Sequence, residues 1–170
     1  MPARGLSLQG QQAGPLLIRV PLHFEGPAVN APADLVAFLR AINETALFNR
    51  WCGMEVVSAA PGRVEISMAW RPELGQYAGF LHAGLIGALI DTACGFAAIT
   101  LVGRVLASHY SVNCLRPAVG DVFIARARVV KPGKSQVFTA CELFARSGDQ
   151  EKLVATGETL LSVAKSEATV

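Results

Sequence analysis

Residues 83–102 read AGLIGALIDTACGFAAITLV, and Asp91 is the one formal charge between Leu74 and Gly103. Twenty residues make about five turns of helix, or about 30 Å. A helix that is apolar on nearly every side is buried, either in a protein core or in a membrane. The stretch is also rich in glycine and alanine, which allow other elements to approach closely.

A membrane-spanning helix is the alternative to a core helix here, because length and small residues also suit helix packing in lipid. Against it, a charge at the centre of such a helix costs roughly 2.5–3.5 kcal/mol on insertion scales. The flanks carry neither a Lys/Arg cluster nor an aromatic belt. The segments on both sides alternate as strands of a soluble sheet do. The sequence therefore predicts a core helix and no membrane.

The segments around this helix alternate between apolar and polar residues, as half-buried strands do. Residues 63–70 are the clearest case, with Arg63, Glu65 and Ser67 between apolar side chains. The predicted strands are 54–60, 63–70, 107–115, 122–131, 135–146 and 153–164. Because the turns are short, an antiparallel meander is the simplest arrangement of the last four. The predicted fold class is α+β, a long antiparallel sheet wrapped around one central apolar helix, with a second subunit covering the rest of that helix.

The N-terminal region is predicted to contain an arm and a second helix. Residues 1–30 hold four prolines and four glycines, which indicates an extended arm. Asn30 suits the N-cap of a helix and Pro32 suits its first turn. The negative charge of Asp34 interacts favourably with the positive end of the helix dipole. An amphipathic helix is expected from there to about Asn49. We therefore divide the chain into an arm, 1–30, and one domain, 31–170.

Composition excludes several classes of protein. Hydrophobic residues make up 52% and charged residues 16%, so the chain is not a disordered one, and its excess of apolar residues favours an oligomer. The net charge is +2 without a basic run, which argues against nucleic acid as a partner. No signal pattern opens the chain, so a cytoplasmic protein is expected. We expect no metal or other cofactor, because the cysteines are isolated and lack metal-ligand spacing; they are Cys52, Cys94, Cys114 and Cys141.

Asp91 is the candidate catalytic residue. A buried carboxylate without a partner is costly, and no Lys or Arg lies within two helical turns of it. Gly84, Ala88 and Gly95 share its helix face, which leaves space beside the carboxylate. At the helix start, the N–H groups of Ala83 and Gly84 are expected to be free to stabilise an oxyanion. A carboxylate and an oxyanion site together suit acyl transfer to water.

Residues 76–91, QYAGFLHAGLIGALID, resemble a motif of the hotdog thioesterase superfamily, especially its phenylacetate-pathway (PaaI-like) acyl-CoA thioesterases. In that motif an amide residue precedes His-Gly-Gly, and Asp or Glu follows nine residues after the His. Residues 112–121, VNCLRPAVGD, resemble the family's N-x-L-R-P-A-x-x-G-D segment, and residues 153–157, LVATG, resemble its last strand. The resemblance covers about residues 34–164.

The resemblance implies hydrolysis of an acyl-CoA to the free acid and CoA. It implies Asp91 as nucleophile or general base, and the Ala83 N–H as the group that polarises the thioester carbonyl. Gln76 would orient the water or the leaving sulfur, while His82 would shape the loop. The family's sites lie between subunits of a homodimer or homotetramer, so Gln76 and His82 are expected to face Asp91 of the partner.

The same resemblance implies positions for the rest of the substrate. Gly84 and Arg116 are candidates for contacts with CoA, as is the turn after Lys131, because phosphates need basic groups near the rim. In that turn the candidates are Gly133, Lys134 and Ser135. Solvated turn charges remain the alternative for each of them. The acyl group is expected near apolar residues such as Phe80 and Leu81.

Two departures from the motif keep other functions open. Ala83 stands in place of the first Gly, and Gln76 stands where many PaaI-like members have Asn, which is similar to the 4-hydroxybenzoyl-CoA thioesterase type. One alternative is an acyl-CoA-binding module without turnover. Another is an enoyl-thioester hydratase or dehydratase, in which a His paired with an acid would serve as acid and base.

Overall fold

A computed structural model describes residues 34–164. The helices are α1 (Leu35–Thr45), α2 (Leu47–Cys52) and α3 (Ala83–Val102), with a short 3-10 turn at Pro72–Leu74. The strands are β1 (Met54–Ala60), β2 (Arg63–Ala69), β3 (Val105–Cys114), β4 (Val122–Lys131), β5 (Gln136–Ser147) and β6 (Gln150–Val163). The predicted class is confirmed, because all strands join one antiparallel sheet and α3 packs across its face, touching every strand.

The order of the strands is β1-β2-β4-β5-β6-β3, so the predicted meander holds only for β4, β5 and β6. β3 lies at the far edge, where it pairs with β6, and its Tyr110 stands opposite Thr159. α3 lies diagonally over this sheet. Gly87, near its start, contacts Tyr110 of β3, and Thr100, near its end, accepts a hydrogen bond of 2.7 Å from the N–H of Gly62 in the turn between β1 and β2.

The core of the molecule lies between α3 and the sheet. Eleven of the twenty residues of α3 are buried, and Ile90 packs directly against the backbone of β6. A Cβ on Gly157 would lie 2.7 Å from Cγ2 of Ile90 and 2.6 Å from the carbonyl oxygen of Ser111. Glycine at this position therefore lets helix and sheet meet closely.

By length and composition α3 is also able to cross a membrane, with a mean hydropathy of 2.0 over its most apolar window. However, 61% of that window is buried within the protein. The sheet therefore covers the surface that lipid would cover in a membrane protein, which favours the core helix predicted from the sequence.

The first helical region differs from its prediction in two ways. Asp34 is itself the N-cap, since its Oδ1 accepts a hydrogen bond of 2.9 Å from the N–H of Ala37; Asn30 and Pro32 lie outside the described residues. The single helix predicted to Asn49 is two helices, because Ala46 adopts extended backbone between α1 and α2. Asn49 then turns inward and donates to Oδ1 of Asn43 at 3.0 Å.

Candidate active site

Asp91 lies in the middle of α3, at the boundary between its buried and its exposed surface. Its Oδ1 is buried and has no hydrogen-bond partner among residues 34–164, while the side chain as a whole is half-buried. Burial raises the pKa of the Asp91 carboxyl above its ordinary value, because desolvation disfavours the charged form. A carboxylate with a raised pKa and a free acceptor position is suited to take a proton from water.

The exposed ridge of α3 provides room beside Asp91. Ala88, Asp91, Gly95 and Ile99 are each partly exposed, as is Thr92 next to Asp91, whereas the remaining residues between 85 and 100 are buried. A Cβ on Gly95 would meet no heavy atom within 4 Å, so the space one turn after Asp91 is open. The small-residue face predicted from the sequence is therefore accessible next to the carboxylate.

The N-terminus of α3 is capped by His82. The His82 side chain accepts, at Nδ1, a hydrogen bond of 3.0 Å from the N–H of Gly84. The N–H of Ala83 has no partner within the part of the chain that the structure describes. The two free N–H groups expected from the sequence thus reduce to one, that of Ala83, and the imidazole is engaged in shaping the loop.

Gln76 lies in a tight loop that leads into α3. Its Oε1 accepts a hydrogen bond of 2.6 Å from the N–H of Ala78, and its backbone N–H donates to the carbonyl of Phe80 at 2.8 Å. Below the loop, the N–H of His82 donates to the carbonyl of Leu74 at 3.0 Å. These hydrogen bonds fix the conformation of the loop, and within the described residues the amide NH2 of Gln76 remains available to donate.

The two halves of the chemistry lie far apart in one chain. Ala83 begins α3 and Asp91 follows eight residues later, which corresponds to about 12 Å along the helix axis. A thioester carbonyl needs an oxyanion donor at about 3 Å and an attacking atom at about 3–3.5 Å. One chain alone therefore does not bring Ala83 and Asp91 to the same carbonyl.

The candidate CoA contacts are also separated. Arg116 lies near the start of α3, since the N–H of Leu81 donates to the carbonyl of Ala118 at 3.1 Å. The turn of residues 133–135 lies near the other end, about 30 Å away. There the carbonyl of Ser135 accepts a hydrogen bond of 2.9 Å from the N–H of Val163. The next residue, Ala164, donates its N–H to the carbonyl of Arg104, which lies just after the end of α3. The members of both groups are exposed; they are Arg116, Gly133, Lys134 and Ser135.

Sequence reasoning missed Tyr110, whose ring contacts Gly87 one turn before Asp91. The signal was present in the alternation of β3. Tyr110 is two residues from Val112, which packs against the core, and residues two apart on a strand point to the same face. Among the cysteines, Cys114 is exposed, whereas the other three are buried.

Comparisons with known proteins place the chain among thioesterases. The profile of the thioesterase superfamily matches residues 78–152, which include the start of α3 and Asp91. Human acyl-coenzyme A thioesterase 13 is 29% identical over 123 residues, which span 70% of this chain and 86% of that protein.

Two crystal structures have the same fold. A thioesterase family protein from Silicibacter pomeroyi aligns with a TM-score of 0.73 and 33% identity, over 76% of this chain and 97% of that one. Zebra fish thioesterase superfamily member 2 aligns with a TM-score of 0.66 and 25% identity, over 76% of this chain and 96% of that one. In both cases the aligned part is nearly the whole of the other chain.

Proposed function

Because the chain belongs to the thioesterase superfamily and has its hotdog fold, we propose that it hydrolyses an acyl-CoA to the free acid and CoA. The observation that carries this proposal is Asp91, a half-buried carboxylate on the central helix whose Oδ1 is desolvated and without a partner in residues 34–164. Human acyl-coenzyme A thioesterase 13, a relative over most of this domain, is named for the same reaction.

Asp91 starts the reaction in either of two ways. As general base it takes a proton from a water molecule, whose oxygen attacks the thioester carbonyl carbon; as nucleophile it attacks that carbon itself, and water then releases the acid. The oxyanion that forms is stabilised by the N–H of Ala83 and the positive end of α3. The carbon–sulfur bond breaks, the sulfur leaves with CoA, and the NH2 of Gln76 is placed to orient the water or the sulfur.

We propose that the site forms between two subunits of a homodimer. A homotetramer would contain two such dimers. Only a second copy supplies an Ala83 N–H at the distance from Asp91 that the carbonyl requires. A twofold axis beside α3 sets the two helices antiparallel, so that the start of one approaches the middle of the other. In this arrangement Gln76, His82 and Ala83 of one subunit face Asp91 of the partner subunit.

The edge strand β3 is the surface we propose for this pairing. It is ten residues long and carries no Asp, Glu, Lys or Arg, although exposed edges are usually protected by charges. Leu106 on this strand is 69% exposed. Pairing two copies of β3 would satisfy the edge that has no neighbouring strand within residues 34–164 and would continue the sheet into the partner. It would also bring Arg116 of one subunit and Lys134 of the other within reach of a single CoA.

The PaaI-like subtype and a cytoplasmic location are the finer parts of the proposal. The subtype is supported by Asp91, the acidic residue nine positions after His82. The hydratase alternative is not favoured, because Nδ1 of His82 is occupied by the N–H of Gly84.

The test is release of free thiol from short, medium, long and aryl acyl-CoAs by the wild type and by Asp91→Asn. Asparagine keeps the shape of the side chain but does not take a proton, so the rate should fall by about 10²–10⁴-fold. Thiol release at equal rates by both proteins would contradict the proposal. Binding of acyl-CoA without turnover by the wild type would identify a binding module instead.

A further inference from the structure

Tyr110, on the edge strand β3, lies against α3 beside the catalytic carboxylate. A Cβ on Gly87 would lie 3.3 Å from Cε2 and 3.6 Å from Oη of Tyr110. The phenol ring therefore occupies the space into which any other side chain at position 87 would extend. It also explains why Gly87 is buried although the exposed ridge of α3 runs beside it.

Gly87 and Asp91 are four residues apart on the same helix, so their Cβ positions are about 5–6 Å from each other. Side chains on a helix lean towards its N-terminus, and the Asp91 carboxylate therefore lies over the turn that contains Gly87. The ring of Tyr110 and the carboxylate of Asp91 consequently border the same space.

The two sides of Asp91 differ in the room that they offer. On the Gly87 side the ring of Tyr110 closes the space, and half of that ring is free, with 52% of the residue exposed. Within residues 34–164 the ring has neither an aromatic nor a hydrogen-bonding partner. On the other side, at Gly95, the space is open. A substrate bound at Asp91 is therefore confined by the ring of Tyr110 on the Gly87 side and has open space on the Gly95 side.

We propose that Tyr110 is a specificity-determining residue, a wall that restricts how wide the acyl group is next to the thioester carbonyl. The inference rests on the proposed thioesterase function. Acyl groups with a methylene beside the carbonyl pass the ring and extend towards Gly95. Acyl groups that branch at that carbon, or that join an aryl ring directly to the carbonyl, meet the ring of Tyr110 and react slowly.

The position of Tyr110 is compatible with the proposed dimer. Pairing through the backbone edge of β3 leaves its side chains pointing to the two faces of the sheet in alternation. Tyr110 stays on the face that carries α3. The wall and Asp91 then come from one subunit, while Gln76 and Ala83 come from the other.

The experiment compares kcat/KM for butyryl-CoA and isobutyryl-CoA, which have the same atoms and differ in branching beside the carbonyl. The wild type should prefer butyryl-CoA. Tyr110→Ala removes the wall, so that preference should fall by about 10-fold or more, the usual effect of one methyl group in a tight pocket. Tyr110→Phe keeps the ring and should keep the preference, which separates the wall from any role of the hydroxyl.

Gly87→Ala provides a second variant in case Tyr110→Ala does not fold or assemble, which size-exclusion chromatography would show. The added methyl group would lie 3.3 Å from Cε2 of Tyr110 and displaces the ring away from position 87, so the preference for butyryl-CoA should change. An active Tyr110→Ala protein with the wild-type preference would overturn this inference alone, as would an unchanged preference in Gly87→Ala. A wild type that releases no thiol from any acyl-CoA would overturn the proposed function, and this inference with it.

Discussion

The N–H of Ala83 and the carboxylate of Asp91 lie on one helix, yet about 12 Å of helix separates them. The first is the open donor at the start of α3 and the second is the desolvated acceptor at its middle. Each lacks the other half of an acyl-transfer site within its own chain. Because of this separation, the proposed reaction requires a dimer, and variants of the two residues can test that requirement.

Ala83→Pro should remove the oxyanion donor with little effect on the fold. Proline is favoured at the first position of a helix, where its missing N–H is not needed. His82, with φ −62° and ψ 134°, already has the backbone conformation that precedes proline. We expect kcat to fall by about 10²–10³-fold, with thermal stability close to that of the wild type. Ala83→Gly keeps the N–H and is the control, which should remain active; an active Ala83→Pro enzyme would exclude this N–H as the donor.

Two inactive variants should restore each other's activity. Asp91→Asn and Ala83→Pro subunits, co-expressed with different tags, form heterodimers in which one site has an intact Asp91 facing an intact Ala83. The heterodimer, which has one intact site of two, should then recover roughly half of the wild-type rate. Purification through both tags, followed by the thiol-release assay, measures this. If each chain held a complete site, no heterodimer site would be intact, and no activity would return.

The activity should depend on pH through Asp91. Both routes of attack need the ionised carboxylate, and burial raises the pKa of Asp91 above its ordinary value of 3.8. As the pH falls, kcat/KM should therefore decline already at a pH above the range in which an exposed aspartate is protonated. A pH profile of thioester cleavage checks this, with a profile for Asp91→Asn as the control. An acidic limb at the pH of an exposed aspartate would argue against a desolvated base.

Gly157→Ala should destabilise the fold by about 1–3 kcal/mol, because the added methyl group meets Ile90 at 2.7 Å and the carbonyl oxygen of Ser111 at 2.6 Å. Gly95→Ala is the matched control on α3. Its methyl group enters open space, and alanine favours the helix by roughly 0.5–1 kcal/mol over glycine. Urea denaturation should rank Gly95→Ala above the wild type and the wild type above Gly157→Ala. The reverse order would contradict the close contact between α3 and β6.

Features that depend on neighbouring residues were predictable from the sequence. The helix was predicted over its observed range, Ala83–Val102, because an apolar run of that length has few other conformations available. The strand around Ile66 was predicted from its alternation. Asp91 was identifiable because one charge in such a helix is costly without a function. The extended arm of residues 1–30 stays a prediction, since it lies outside the described residues.

Features that depend on distant residues needed the tertiary structure. β3 pairs with β6 at the far edge of the sheet, and no local pattern expresses this pairing of strands that are distant in sequence. The engagement of the Gly84 N–H by His82 depends on one side-chain rotamer, and the contact of Tyr110 with Gly87 depends on the position of β3. The sequence alone was enough to identify Asp91 as the candidate catalytic carboxylate. Only the tertiary structure decided what borders that carboxylate, because residues distant in sequence become neighbours only when the helix packs on the sheet.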